Sequence, residues 1–129
     1  MNAKECVAVN SGTAALNLAL SLIDIKQKEV IVPSLTFVST VNAIKLNHGI
    51  PVFCDVEPET GCISIEKMKK KINKKTKAVI PVHFGGFPCD LKKINELCKK
   101  YKLHTIEDAA HAAGTSFRGK KIGSHSEFV

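Results

Sequence analysis

Apolar positions along this chain follow two periods in turn. Ala15, Leu16, Ala19, Leu20 and Ile23 fall on one face of a helix that opens at Ser11-Gly12-Thr13. Glu29 to Val32 reads as a short buried strand closed by Pro33. A second helix is predicted from Thr36 to about His48, with Phe37, Val41, Ile44 and His48 along one side and Gly49 as a left-handed cap. Pro51 to Val56 reads as a strand, and Ser64 caps a helix striped by Ile65, Met68 and Ile72. Lys77 to Val82 is the next strand. Asp90 then caps a helix with Leu91, Ile94, Leu97, Cys98 and Tyr101 facing inward, and Leu103 to Ile106 forms a last strand. Cys6 to Val9 gives one more short strand at the start. Strands that alternate with helices predict crossover connections, hence an α/β fold: three layers, α/β/α, around a mainly parallel sheet.

Composition changes this picture little. The formal charge of +7 is local, because seven lysines and no acid lie between Lys67 and Lys77, and basic and acidic residues balance at 12 each elsewhere. With one Arg, no Trp and one lysine run, the charge describes a solvated helix face better than a nucleic-acid surface. Five cysteines without a CxxC pair exclude the usual zinc-ribbon and thioredoxin-type spacings, and reduced thiols fit a cytoplasmic protein. No stretch is long and apolar enough to cross a bilayer, and the polar N-terminus does not read as a secretory signal.

In an open parallel sheet, ligands bind beyond the C-terminal strand ends. That rule gathers Ser11-Gly12-Thr13, Ser34 to Phe37, His83, and Asp108 with His111 on one rim. Asn10 to Thr13 offers hydroxyls and free N–H groups at a helix start, which suits a phosphate or serves as a plain N-cap. Neither a GxGxxG nor a GxxxxGK[ST] loop is present. Asp108 ends a largely apolar strand, so its carboxylate needs a partner: a cationic ring nitrogen, or a capping role with an ordinary His111 beside it. Phe37 is either a flat surface for a ring or a core residue. Phosphate donors, an aromatic face and a carboxylate for a ring nitrogen together suit pyridoxal 5'-phosphate (PLP), whose protonated pyridine is an electron sink.

The chain resembles the DegT/StrS-type sugar aminotransferases, a branch of the PLP-dependent aspartate-aminotransferase fold. The resemblance rests on Val9 to Leu16 (VNSGTAAL), Pro33 to Ile44 (PSLTFVSTVNAI), Pro51 to Val56 (PVFCDV), Pro81 to Gly86 (PVHFGG) and Ile106 to Ala112 (IEDAAHA), five blocks in the family's order. It implies that Gly12, Thr13 and Ala14 hold the cofactor phosphate, that Phe37 stacks on the ring, that Asp108 pairs with the ring nitrogen and that His111, a tentative catalytic residue, stands near the phenolic oxygen. It implies an amino group passed, typically from glutamate, to a keto group of a nucleotide-linked sugar for polysaccharide or glycan biosynthesis, in a homodimer.

The family's Ser-Phe-His-x-x-Lys block, which carries the Schiff-base lysine, would come after Val129. Residues 1–129 are therefore expected to form part of a PLP-binding large domain, lacking the family's N-terminal segment and small C-terminal domain and inactive alone. Two alternatives stay open: a remnant that binds an anion or pairs with another chain, and a metal-dependent hydrolase built on His83, Asp108 and His111.

Overall fold

The computed structural model describes residues 5–129. Helix α1 (Gly12–Ser21) starts where Ser11 turns its hydroxyl back to accept the Ala14 N–H at 3.2 Å, so the chain leaves extended backbone with its first turn closed. Then come β1 (Glu29–Pro33), α2 (Val38–Leu46), β2 (Ile50–Cys54), α3 (Ile65–Lys71), β3 (Thr76–Val79), α4 (Leu91–Tyr101) and β4 (His104–Thr105). A single 3-10 turn, Phe84–Gly86, lies between β3 and α4.

The four strands form one sheet in the order β2-β1-β3-β4, and every neighbouring pair is parallel. Side-chain alternation divides the core. Val30, Val32, Ala78 and Ile80 pack with Leu16, Leu20, Ala43 and Ile44 of α1 and α2. Ile31 and Val79 pack on the other side with Met68, Leu91, Ile94 and Cys98 of α3 and α4. Successive residues of one strand thus serve opposite layers, as a sheet covered on both faces requires. The result is the expected three-layer α/β/α arrangement, with each fully buried Leu or Ile worth about 1.5–3 kcal/mol.

Local expectations fared unevenly. Cys6 to Val9 is not a strand, because no neighbouring strand pairs with it among the described residues. The left-handed residue ending α2 is His48 (φ 59°), not Gly49. Gly49 is needed for a different reason: a Cβ there would stand 2.9 Å from side-chain carbons of Ile25 and Ile44. The inward face of α2 is Thr40, Ala43 and Ile44, while Phe37 and His48 are exposed. A hairpin that the periodicity missed joins β5 (Ser116–Phe117) to β6 (Lys120–Lys121). Its turn residues Arg118 and Gly119 both have positive φ, the signature of a tight hairpin turn. Met68 of α3 faces the core and Lys67, Lys69, Lys70 and Lys71 face water, as the lysine run suggested.

Candidate functional site

From β1 the chain passes to β2 on one side, and β3 then returns to β1's other side. The crevice at the C-terminal ends of β1 and β3 is therefore a topological switch point, where open α/β sheets bind ligands. A cavity of about 180 Å³ lies there. Gly12, Thr13 and Leu16 of α1 form one wall, and Phe37 and Ser39, following β1, form another. Val82 and Phe84 follow β3, and Asp108, Ala110 and His111 follow β4. Five of the six residues singled out from sequence thus share one cavity: Gly12, Thr13, Phe37, Asp108 and His111.

Ala14 does not line it. Its N–H is already donated to the Ser11 hydroxyl, whereas those of Gly12 and Thr13 have no partner among the described residues. The cap consumes one donor of the first turn and leaves two at the cavity.

Asp108 is only 7% exposed. Its backbone N–H donates to the Pro81 carbonyl at 2.9 Å and its carbonyl accepts the His83 N–H at 3.1 Å, so it is laced to the chain leaving β3. One carboxylate oxygen accepts from the Thr40 hydroxyl at 2.7 Å and the other from the Ala110 N–H at 3.2 Å. No Lys, Arg or His ion-pairs with it among the described residues. A nearly buried carboxylate with two hydrogen bonds and no cation is an anion still short of a counter-charge. Phe37, by contrast, is 68% exposed, an aromatic face left open at the N-terminus of α2. His111 is exposed and meets the Phe84 ring edge-on, 6.3 Å between centroids.

His83 does not stand on the rim where the strand-end rule put it. Its side chain is fully buried; Nδ1 accepts the Cys89 N–H at 3.1 Å and Nε2 lies 3.0 Å from a Glu107 oxygen. A strand end can send successive side chains to opposite faces, and here the inward one is His83. Among the described residues, no three His, Cys, Asp or Glu side chains gather to hold a metal ion. His83, committed to Glu107, gives the hydrolase alternative no support. Two residues escaped the sequence reading. Thr40, wholly buried, carried one available signal: it is a hydroxyl on the face of α2 that also holds Ala43 and Ile44. Glu107, next to Asp108, is a second buried acid at the same strand end.

One cavity thus brings together the free N–H groups of Gly12 and Thr13, the exposed Phe37 ring and the Asp108 carboxylate. The family model for DegT/DnrJ/EryC1/StrS aminotransferases matches residues 1–129. The chain belongs to that family. It is 44% identical over 128 residues to GDP-perosamine synthase of Vibrio cholerae, which covers 98% of this chain and 35% of that protein. Among solved structures, the aminotransferase from Psychrobacter cryohalolentis superposes with a TM-score of 0.94 at 37% identity, over 97% of this chain and 32% of that one. NtdA from Bacillus subtilis, solved with its bound cofactor pyridoxamine phosphate (PMP), gives 0.80 at 33% identity, over 90% and 26%. The chain spans about a third of the length of the curated relatives it matches. The fold is that of the DegT/DnrJ/EryC1/StrS aminotransferases, and the cofactor of the family is PLP, met as PMP in NtdA and as PLP in a putative sugar aminotransferase from Streptococcus pneumoniae (TM-score 0.86, 28% identity, over 91% of this chain and 34% of that one).

Proposed function

We propose that residues 1–129 are part of the PLP-binding large domain of an aminotransferase that moves an amino group, from a donor such as glutamate, to a keto group of a nucleotide-linked sugar. The observation that carries this is Asp108: a nearly buried carboxylate that no Lys, Arg or His pairs with among the described residues, lining a cavity that the start of α1 also lines. In this reading Gly12 and Thr13 hold the cofactor phosphate with their N–H groups and the Thr13 hydroxyl, where the helix dipole favours an anion. Phe37 covers one ring face and excludes water from it. Asp108 keeps a proton on the ring nitrogen, and His111 lies within the cavity to hydrogen-bond a ring substituent. Bound there, the cofactor supplies an electron sink that eases loss of a proton from the amino-bearing carbon. Ala14 supports the phosphate site through the cap rather than by direct contact.

No lysine lines the cavity among the described residues. We therefore assign to these residues cofactor binding and ring polarisation, and not the amine that would hold the cofactor covalently. We infer a homodimer acting on a sugar nucleotide in the cytoplasm; no helix among the described residues is long and apolar enough to cross a membrane. The test is a half-reaction: the protein that carries this chain, loaded with PMP, is mixed with keto-sugar nucleotides and the amino sugar is followed by mass spectrometry. Amino transfer that falls at least about a hundredfold in Asp108→Asn supports the reading. Transfer that survives this substitution, or no transfer to any keto-sugar nucleotide, overturns it.

A further inference from the structure

Resting on that reading, we propose that Thr40 is a positioning residue for Asp108, with Thr36 behind it, so that α2 sets the carboxylate that meets the ring nitrogen. Thr40 is wholly buried, and its Oγ lies 2.7 Å from one Asp108 oxygen and 2.9 Å from the Thr36 Oγ. An ionised carboxylate only accepts, so the single hydroxyl proton of Thr40 goes to Asp108. The short contact is then fed by Thr36, whose one hydroxyl proton goes to Thr40 at 2.9 Å rather than to the Phe37 carbonyl, a weaker contact at 3.5 Å. The chain Thr36 to Thr40 to Asp108 runs one way, and each bond polarises the next.

The second carboxylate oxygen is held by the Ala110 N–H at 3.2 Å. Two donors from two directions stop the carboxylate from rotating about its last bond. One donor belongs to the turn after Asp108 and the other to α2, whose N-cap residue is Phe37. The Thr40 N–H donates to the Phe37 carbonyl at 3.1 Å, so the residue that would cover the ring and the residue that orients the carboxylate lie one helical turn apart on one rigid element. The placement of Phe37 and the orientation of Asp108 are thus set by the same helix start.

A merely structural threonine would stabilise the fold without caring what the ring carries. The discriminating measurement compares PMP with its deaza analogue, in which a ring C–H replaces the nitrogen. Neither has an aldehyde, so surface lysines do not react. Affinities are measured by calorimetry on the full chain freed of cofactor. The wild type should prefer PMP by at least about tenfold, the worth of a charge-assisted hydrogen bond. Thr40→Val should remove most of that preference while its affinity for the deaza analogue stays within about twofold, and Thr40→Ser should restore it. Thr36→Val, which leaves Thr40 in place, should lower the preference about threefold, so the claim remains testable even if Thr40→Val folds poorly. Equal losses for both ligands in Thr40→Val and Thr36→Val, or no loss in either, would overturn the positioning role alone. A wild type with no preference, or one unchanged by Asp108→Asn, would overturn the assignment of Asp108 and the inference with it.

Discussion

His83 and Glu107 face each other at 3.0 Å with neither side chain reaching solvent. Because Nδ1 accepts the Cys89 N–H, the ring proton sits on Nε2 and is donated to Glu107. The other Glu107 oxygen has no hydrogen-bond partner among the described residues. Removing the imidazole would leave the carboxylate unserved in the core. His83→Ala should therefore cost about 3–5 kcal/mol, and Glu107→Gln, which keeps an acceptor for Nε2–H, less than about 1.5. Urea midpoints of the two variants and of the double variant check this. The double variant should cost less than the sum; strict additivity would mean that the contact carries no energy of its own.

Neighbouring hydroxyls at the start of α1 should separate cleanly. Ser11 spends its oxygen on the Ala14 N–H, so Ser11→Ala should lower stability by about 1 kcal/mol. Thr13 lines the cavity, so Thr13→Val should weaken PMP about tenfold and leave unphosphorylated pyridoxamine unaffected. Thermal melts and calorimetry read the two effects; equal losses for both pyridoxamines would remove Thr13 from the phosphate site.

Gly86 has φ +83°, and a Cβ there would stand 3.0 Å from the His111 carbonyl oxygen. Gly86→Ala should destabilise by about 1–3 kcal/mol and push the His111 turn outward. A melting temperature unchanged from wild type would show that the turn yields freely.

Stability should fall at high pH. Burial raises the Cys54 thiol from 9.0 to about 11, hydrogen bonding with Cys62 and then burial raise Cys89, and burial raises Cys98. These thiols stay protonated in the native state while the unfolded chain ionises near 9. The unfolded state thus holds fewer protons, and stability declines as pH rises above that value. By pH 10 the loss should be about 1 kcal/mol for Cys54. Depression of Cys62 to about 6, led by its hydrogen bond with Cys89, acts in the opposite sense: its contribution is lost as pH falls through 6 and complete above 9. Urea unfolding at pH 8 and 10, with Cys54→Ala as control, checks this. The control should show a smaller decline.

Periodicity carried the fold because most elements are amphipathic or wholly apolar. The alternation of Val30, Ile31 and Val32 between two helical layers follows directly from β geometry. Elements with too few residues for a period were lost: the two-strand hairpin at Ser116 to Lys121, and Cys6 to Val9, where apolar composition met no pairing partner. Within the cavity, residues that end strands or start helices were legible, because strand ends define where a ligand sits. Direction was not. His83 and Asp108 both follow strands, and only tertiary hydrogen bonds turn one inward and the other toward the cavity. Thr40 offered only a hydroxyl among the inward positions of α2; its partner, remote in sequence, did not show.

Thr40 and Asp108 are separated by 68 residues, and the cavity draws on residues from Gly12 to His111. Contacts this distant are closed at lower entropic cost once the strands between them have paired and shortened the loop. A partly folded chain without the segment after β4 lacks the Asp108 wall, and one without α1 lacks the free N–H groups of Gly12 and Thr13. A ligand that needs both ends can bind only the completed sheet. Its occupancy then stabilises every element at once, by about 2.7 kcal/mol at a hundred times its dissociation constant. Hydrogen exchange should therefore slow in strands that never touch it.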